Sequence, residues 1–242
     1  MSLSLLVVES WVFLILVPLS HSGVRRGVRS LTVSDDHYFS ANPASADERR
    51  TIPVTLAGHD LTVETAGGIF SPGHVDVGTL VLLRYLPDAP TGSILDLGCG
   101  WGPIALTAAL SNTATRVTAI DVNERALDLL RRNIVRVSAQ HDLAEIVVCT
   151  PEHVAEDEVF DAIWSNPPIR IGKEALHDLL TAWLPRLRAG GEAHLVVQKN
   201  LGADSLASWI TAQRDDAGPW GHVEKLGSSK GFRVLRLTRA SH

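Results

Sequence analysis

The chain has 242 residues, 45% of them hydrophobic and 20% charged, a composition that favours one large folded domain and excludes a disordered chain. Its two cysteines, Cys99 and Cys149, exclude a disulfide scaffold and a four-thiolate zinc site, and they predict a reducing, cytoplasmic location. The formal net charge of -5 argues against a uniformly basic nucleic-acid binder. From Trp164 onward, basic residues outnumber acidic ones by 11 to 7, which leaves a polyanionic substrate open.

The first 32 residues differ in character from the rest of the chain. The run Leu3–Leu19 is almost wholly apolar and lies at the short edge of what spans a bilayer. It lacks the basic start and the cleavage site of a secretory signal. We expect residues 1–32 to be an extension upstream of the real start, with a membrane anchor and a cleaved signal as the alternatives. Residues 33–242 then form the folded domain.

The elements predicted from residue 52 onward describe an α/β protein. Alternating residues over 52–65 predict a β-hairpin, and an apolar stretch over 76–86 predicts a helix. Beyond Pro90, β-branched runs predict parallel strands, and helical spacing predicts the segments between them. The strands are 93–97, 116–120, 145–149, 159–164 and 192–198, the helices are 103–111, 123–138, 173–188 and 202–213, and two closing strands occupy 223–238. This alternation predicts a Rossmann-like, doubly wound, seven-stranded and mostly parallel sheet preceded by a hairpin.

A glycine-rich turn follows the first strand of this predicted sheet. Its glycines would let a ligand approach the backbone, and the start of the next helix is expected to offer free N–H groups. The second strand ends at Asp121, where an acid can accept both hydroxyls of a ribose. The two signals together predict a site for an adenine nucleoside cofactor. The residues expected to hold it are Asp96, Gly98, Cys99, Gly100, Gly102, Asp121 and Val122.

The fourth predicted strand runs into Asn166-Pro167-Pro168, an unusual choice for a routine turn because two prolines remove two backbone donors. The prolines supply rigidity, so the Asn166 amide oxygen and the Pro167 carbonyl oxygen can converge as two acceptors. Such a pair suits a planar –NH2 group, and drawing its hydrogens aside makes the nitrogen lone pair available for attack. We therefore expect Asn166, Pro167 and Pro168 to form the catalytic motif.

In these motifs the chain resembles the class I S-adenosylmethionine-dependent methyltransferases that act on exocyclic or amide nitrogen. A closer resemblance is to the catalytic half of the bacterial small-subunit ribosomal RNA guanine-N2 methyltransferases, in their single-domain form. It extends from about His37 to the C terminus and rests on 37–40, 68–71, 75–79, 165–172 and 231–237. The resemblance implies S-adenosyl-L-methionine as the cofactor. It also implies RNA as the partner, either free ribosomal RNA or the small ribosomal subunit.

One position departs from the family pattern. The residue after Asn-Pro-Pro is usually aromatic and stacks on the target base, whereas here it is Ile169. Apolar contact by Ile169 remains available, and Phe39 and Phe70 are candidates to supply the stacking. Basic residues of the C-terminal half either contact RNA phosphates or form a solvated face. They are Lys199, Lys230, Arg233 and Arg236.

Other functions stay open on the sequence alone. A protein glutamine or small-molecule N-methyltransferase shares the Asn-Pro-Pro motif, although a release-factor enzyme normally has tyrosine after it and a helical N-terminal domain. A non-catalytic RNA- or cofactor-binding module is a second class, but it has no use for an amine-holding tripeptide. No two histidines are spaced four residues apart and none flanks a cysteine, so no metal site is expected.

Overall fold

The fold is taken from a computed structural model, in which residues 44–45, 48–168, 171–216 and 218–241 are described. The predicted extension 1–32, Phe39 and Ile169 lie outside these residues. The strands are β1 (Arg49–Leu56), β2 (His59–Ala66), β3 (Gly92–Leu97), β4 (Thr115–Ile120), β5 (Glu145–Cys149), β6 (Phe160–Ser165), β7 (Leu187–Gln198), β8 (Arg214–Asp215), β9 (Gly218–Pro219), β10 (Gly221–Ser229) and β11 (Phe232–Arg239). The helices are α1 (Val77–Leu83), α2 (Pro103–Ser111), α3 (Glu124–Ser138), α4 (Lys173–Trp183) and α5 (Ala203–Ala212).

The predicted hairpin is confirmed as the antiparallel pair β1–β2. Its two-residue turn, Ala57-Gly58, has both φ angles positive, at 49° and 80°. Such a turn matches the right-handed twist of the flanking strands, which explains why a glycine stands there. The hairpin packs against α3, where Asn133 bonds the backbone of Glu64 in β2.

The main sheet has seven strands in the order β10-β11-β7-β6-β3-β4-β5, which confirms the predicted doubly wound fold. The strands from β7 to β5 are parallel, and β11 and β10 add to this set in antiparallel fashion. The chain builds outward from β3 through β4 to β5 and then returns to the other side of β3 with β6. The order therefore reverses between β3 and β6, the point at which open α/β sheets bind ligands.

The helix predicted over 173–188 is wrong at its C-terminal end, because α4 stops at Trp183. Pro185 lacks a backbone N–H and its ring clashes with the preceding helical turn, so the helix cannot continue through it. A single 3₁₀ turn, Leu184–Arg186, leads directly into β7. This strand accordingly begins at Leu187, five residues before the predicted strand 192–198.

Apolar residues cover both faces of the sheet, as expected for parallel strands. Ile94 of β3 lies in the cluster shared with the hairpin, α1, α2 and α3, whereas Leu95 and Leu97 lie in the cluster shared with α4 and α5. Since successive side chains of a strand alternate between faces, Asp96 belongs to the α2 face. The carboxyl end of β3 thus presents a buried acid beneath the start of α2.

Of the helices within the described ranges, none combines the length and the apolarity needed to cross a bilayer. The apolar run Leu3–Leu19 falls outside these ranges.

Candidate active site

The turn after β3 is open on one side and closely packed on the other. Gly98 and Gly100 have φ angles of 79° and 55°, and no atom lies within 4 Å of the position that a Cβ would occupy on either residue. Gly102 is different, because a Cβ there would lie 2.1 Å from Cδ1 of Leu130 in α3. A side chain at 102 would have to displace Leu130 and would be strained at the φ angle of 100°, whereas open space lies over Gly98 and Gly100.

Several N–H groups of this turn and of the start of α2 donate to acceptors within the protein. Those of Gly98 and Cys99 both donate to the carbonyl oxygen of Ile120 at 2.9 Å, and that of Gly102 donates to the carbonyl oxygen of Cys99 at 3.0 Å. Pro103 has no N–H, and Ala105 donates to Asp96. The expectation that the start of α2 offers free N–H groups is therefore wrong at these positions. Their bonds instead hold the turn rigidly against the end of β4.

Asp96 is a fully buried acid at the end of β3. Its Oδ2 accepts a hydrogen bond of 2.9 Å from the Ala105 N–H, whereas Oδ1 has no partner among the described residues. Burial, joined by the negative charge of Asp121 and opposed by the hydrogen bond from Ala105, raises the pKa of this carboxyl to about 8. Asp96 therefore holds a proton at neutral pH and faces the turn as an uncharged group.

Asp121 follows β4 and is half-buried beside the glycine turn. Its Oδ2 accepts from the Gly100 N–H and its Oδ1 from the Asn123 N–H, both at 2.9 Å. Burial raises the pKa of this carboxyl and these backbone bonds oppose the rise. Each carboxylate oxygen keeps a second lone pair, so the side chain can also accept two neighbouring hydroxyl groups.

Asn166 follows β6 and is held by the start of α1. Its Nδ2 donates to Oδ2 of Asp76 and to Oγ1 of Thr79, both at 3.0 Å. Asp76 is the N-cap of α1 and accepts from the N–H groups of Gly78 at 2.7 Å and Thr79 at 3.2 Å. No described residue donates to Oδ1 of Asn166. Sequence reasoning missed the contact between Asp76 and Asn166, although an aspartate before a predicted helix signals a cap.

The loop that carries Phe70 is attached to the residues after β4. The Asn123 side chain donates to the carbonyl oxygen of Gly68 at 2.9 Å, and Arg125 donates to that of Gly67 at 3.1 Å. Phe70 itself is 50% exposed. Val122, beside Asp121, is 70% exposed. These contacts bring the loop of Phe70 to the loop that carries Asp121.

The remaining motif residues lie at the same edge or close to it. Pro167 is buried and Pro168 is exposed, directly after Asn166. Lys199 follows β7, and its N–H donates to the carbonyl oxygen of Gly231 in the β10–β11 turn at 2.8 Å. Cys99 is buried within the glycine turn, and burial raises the pKa of its thiol.

The basic residues near this edge fall into two groups. Arg233 pairs with Asp204, and Arg236 pairs with Glu224. Lys199 and Lys230 form no ion pair with any described residue. The two lysines are therefore the available cations among the four that the sequence singled out.

Residues 60–236 match the family model of the methyltransferase small domain. The chain belongs to this family. It is accordingly an S-adenosylmethionine-dependent methyltransferase. Within the ranges described above, no group of three or more histidine, cysteine, aspartate or glutamate side chains is placed to hold a metal ion.

This methyltransferase is similar both to a protein that it covers almost completely and to longer proteins that it covers only in part. It is 30% identical over 208 residues to an uncharacterised Bacillus subtilis protein, YbxB, with 84% of this chain and 98% of that protein aligned. It is 32% identical over 212 residues to ribosomal RNA small subunit methyltransferase C of Pseudomonas entomophila, with 86% of this chain and 59% of that protein aligned. The chain thus spans well under two thirds of the ribosomal RNA methyltransferase.

A solved structure shows the same fold. The T. thermophilus 16S rRNA N2 G1207 methyltransferase, in complex with AdoMet and guanosine, superposes with a TM-score of 0.67 at 22% sequence identity. The alignment covers 81% of this chain and 52% of that one. At this identity the likeness supports the architecture of the methyltransferase small domain.

Proposed function

We propose that this methyltransferase transfers its methyl group to the exocyclic N2 amine of a guanine in ribosomal RNA. The observation that carries the proposal is the orientation of the Asn166 amide, whose NH2 group faces Asp76 and Thr79. This orientation leaves Oδ1 as an acceptor at the carboxyl edge of the sheet. A planar amine has two hydrogens to donate, and the carbonyl oxygen of Pro167 is the natural second acceptor.

The residues of the glycine turn fit the cofactor. The open space over Gly98 and Gly100 would receive the methionine part, and the free lone pairs of Asp121 would accept the ribose hydroxyls. Val122 offers an exposed apolar surface beside them for the adenine ring. S-adenosylmethionine would supply the methyl group from its sulfonium, and the rest of the cofactor would leave as a neutral thioether. The protein therefore has to align the acceptor amine above all else.

The contribution of Asn166 to this reaction is electrostatic. Positive charge develops on the amine nitrogen as the new bond forms, and an acceptor held in place beforehand stabilises that charge. The alkylated nitrogen loses its extra proton easily, so the site needs no strong general base. Asn166 is half-buried, and the proton can pass to water at this open edge.

The surroundings of Asn166 suit an RNA nucleotide. Phe70 is half-exposed on a loop anchored beside Asp121 and would stack on the base that Ile169 cannot stack on. Lys199 and Lys230 pair with no described carboxylate, and a backbone bond from Lys199 to Gly231 joins the segments that carry them. The two lysines would contact phosphates. Similarity to ribosomal RNA methyltransferases agrees with this choice of substrate.

The proposal is tested by incubating the full chain with methyl-labelled S-adenosylmethionine and either small ribosomal subunits or free ribosomal RNA. Nucleoside analysis should find the label in N2-methylguanosine. Asn166→Ala should lower this label about 100-fold, the scale of losing one preorganised polar contact, whereas Val135→Ala, at an exposed position of α3, should keep it. Label on adenine, or on a protein glutamine, would contradict the proposed substrate.

A further inference from the structure

The contact between α1 and Asn166 joins segments that are 90 residues apart in the chain. Oδ2 of Asp76 accepts three hydrogen bonds, two from the backbone of its own helix and one from Asn166. Thr79 is buried, and its hydroxyl oxygen accepts the other bond from the Asn166 NH2 group. Both donors of that NH2 group are therefore engaged by two residues of one helical turn.

The chemistry of the partners permits one orientation of the amide. An ionised carboxylate accepts hydrogen bonds and cannot donate them, so the NH2 group of Asn166 must be the side that faces Asp76. A flipped amide would set its oxygen against the Asp76 oxygen and lose that hydrogen bond, whereas the Thr79 hydroxyl can pair with either side of the amide. The identity of residue 76 thus decides which atom of Asn166 is presented to the edge of the sheet.

We infer that Asp76 and Thr79 are positioning residues that act through Asn166. They fix its amide with Oδ1 outward, and the negative charge of Asp76 polarises the amide and strengthens Oδ1 as an acceptor. The inference rests on the proposed role of Asn166 as the acceptor of the target amine. It assigns no contact with substrate or cofactor to Asp76 or Thr79.

Three variants separate this role from support of the fold. Serine is a good N-cap, so Asp76→Ser keeps the cap of α1, but its side chain is too short to reach Asn166. Thr79→Val removes the hydroxyl at nearly constant shape, and Thr79→Ser retains it as the matched control. Asp76→Ser and Thr79→Val change different residues. If one of these variants fails to fold, the other still tests the inference.

The first measurement needs neither substrate nor cofactor. Proton exchange of the Asn166 side-chain amide is followed by 15N NMR of the full chain, and its signal is assigned by its absence in Asn166→Ala. Exchange should be at least about tenfold faster in Asp76→Ser and in Thr79→Val than in the wild type, and unchanged in Thr79→Ser. Exchange rates in Asp76→Ser and Thr79→Val equal to that of the wild type would overturn the inference.

The second measurement is a double-mutant cycle on single-turnover methylation. Asp76→Ser should slow methyl transfer roughly 10- to 100-fold, the scale of a misplaced reacting group, without changing cofactor affinity. In the Asn166→Ala background the same change should slow it less than about twofold. An equal loss in both backgrounds would show that Asp76 acts independently of Asn166 and would overturn the inference. If the proposed substrate is wrong, the label appears outside N2-methylguanosine. The amide exchange measurement then decides on its own whether Asp76 and Thr79 position Asn166.

Discussion

Asn133, fully buried in α3, donates a hydrogen bond of 3.1 Å to the carbonyl oxygen of Trp101 in the glycine turn. The same amide accepts from the Glu64 N–H at 2.6 Å and donates to the Glu64 carbonyl oxygen at 3.0 Å. One side chain therefore satisfies backbone groups of both the hairpin and the turn. The position of β2 and the shape of the glycine turn are coupled through it.

Replacing Asn133 with leucine should lower the free energy of unfolding by about 3 kcal/mol, because buried backbone groups of Glu64 and Trp101 lose their partners. The affinity for S-adenosylmethionine should fall as well, since Trp101 lies within the glycine turn. Denaturant titration and calorimetry measure the two effects. Val135→Ala, exposed on the same helix, should change stability by less than about 0.5 kcal/mol. Unchanged stability in Asn133→Leu would refute the coupling.

Replacing Asp121 with alanine should weaken S-adenosylmethionine binding at least about tenfold, since charge-assisted bonds to the ribose hydroxyls are lost. Titration calorimetry gives the affinity directly. Glu124→Ala removes the same charge three residues away, at an exposed position, and should leave the affinity unchanged. Equal affinities in both variants would place the ribose elsewhere.

Exchanging the residues of the contact between Asp76 and Asn166 should restore much of the activity that a single change removes. Asn166→Asp alone sets two carboxylates against each other, and such a pair cannot readily hold both charges. The double variant Asp76→Asn with Asn166→Asp recreates an amide–carboxylate contact. Its single-turnover rate should exceed that of Asn166→Asp at least about tenfold. A double variant no faster than the single one would show that the contact is irrelevant to turnover.

Asp96 should make the protein less stable as the pH rises. Its ordinary pKa is 3.8, and burial raises the pKa to about 8, so between these values the folded protein holds a proton that the unfolded chain releases. The stability that this group contributes is therefore greatest below pH 4 and declines up to pH 8. His194 acts oppositely up to its ordinary pKa of 6.5, because burial, with the charge of Arg236, lowers its pKa to about 4.

The measurement for Asp96 is the melting temperature of the wild type and of Asp96→Asn between pH 6.5 and 8. Both proteins share the remaining titration of His194 in this window, so the difference between their curves reports Asp96. The wild type should lose stability across it, and the variant should lose clearly less. Parallel curves for the two proteins would mean that Asp96 is ionised throughout.

Lys199 and Lys230 should account for part of the salt dependence of RNA binding. Lys199→Ala with Lys230→Ala should reduce the slope of log affinity against log salt by about 1.5, since each phosphate contact contributes about 0.7–0.9. Lys225→Ala is the matched control, because Lys225 pairs with Asp204. Filter binding at several salt concentrations gives the slopes. Equal slopes in the double variant and the control would remove the lysines from the RNA surface.

The strands and the hairpin followed from the sequence because their causes are local. Hydrophobic periodicity reports which side of each segment is buried, and the glycine turn and Asn-Pro-Pro carry their chemistry within a few residues. The sequence also contained the signal for the end of α4 at Trp183, since Pro185 stands two residues later. The use of the Ala105 N–H at the start of α2 could not be read from the sequence, because its acceptor, Asp96, lies on β3.

By itself, the sequence determined a doubly wound sheet with a glycine turn at the end of its first strand and Asn-Pro-Pro at the end of its fourth. Tertiary structure alone decided that Gly102 lies against Leu130, that burial raises the pKa of Asp96, and that the Asn166 amide faces Asp76. The physical reason is the same in each case. Burial and hydrogen-bond partners are set by segments tens of residues away, and no local pattern records which atoms those segments bring into contact.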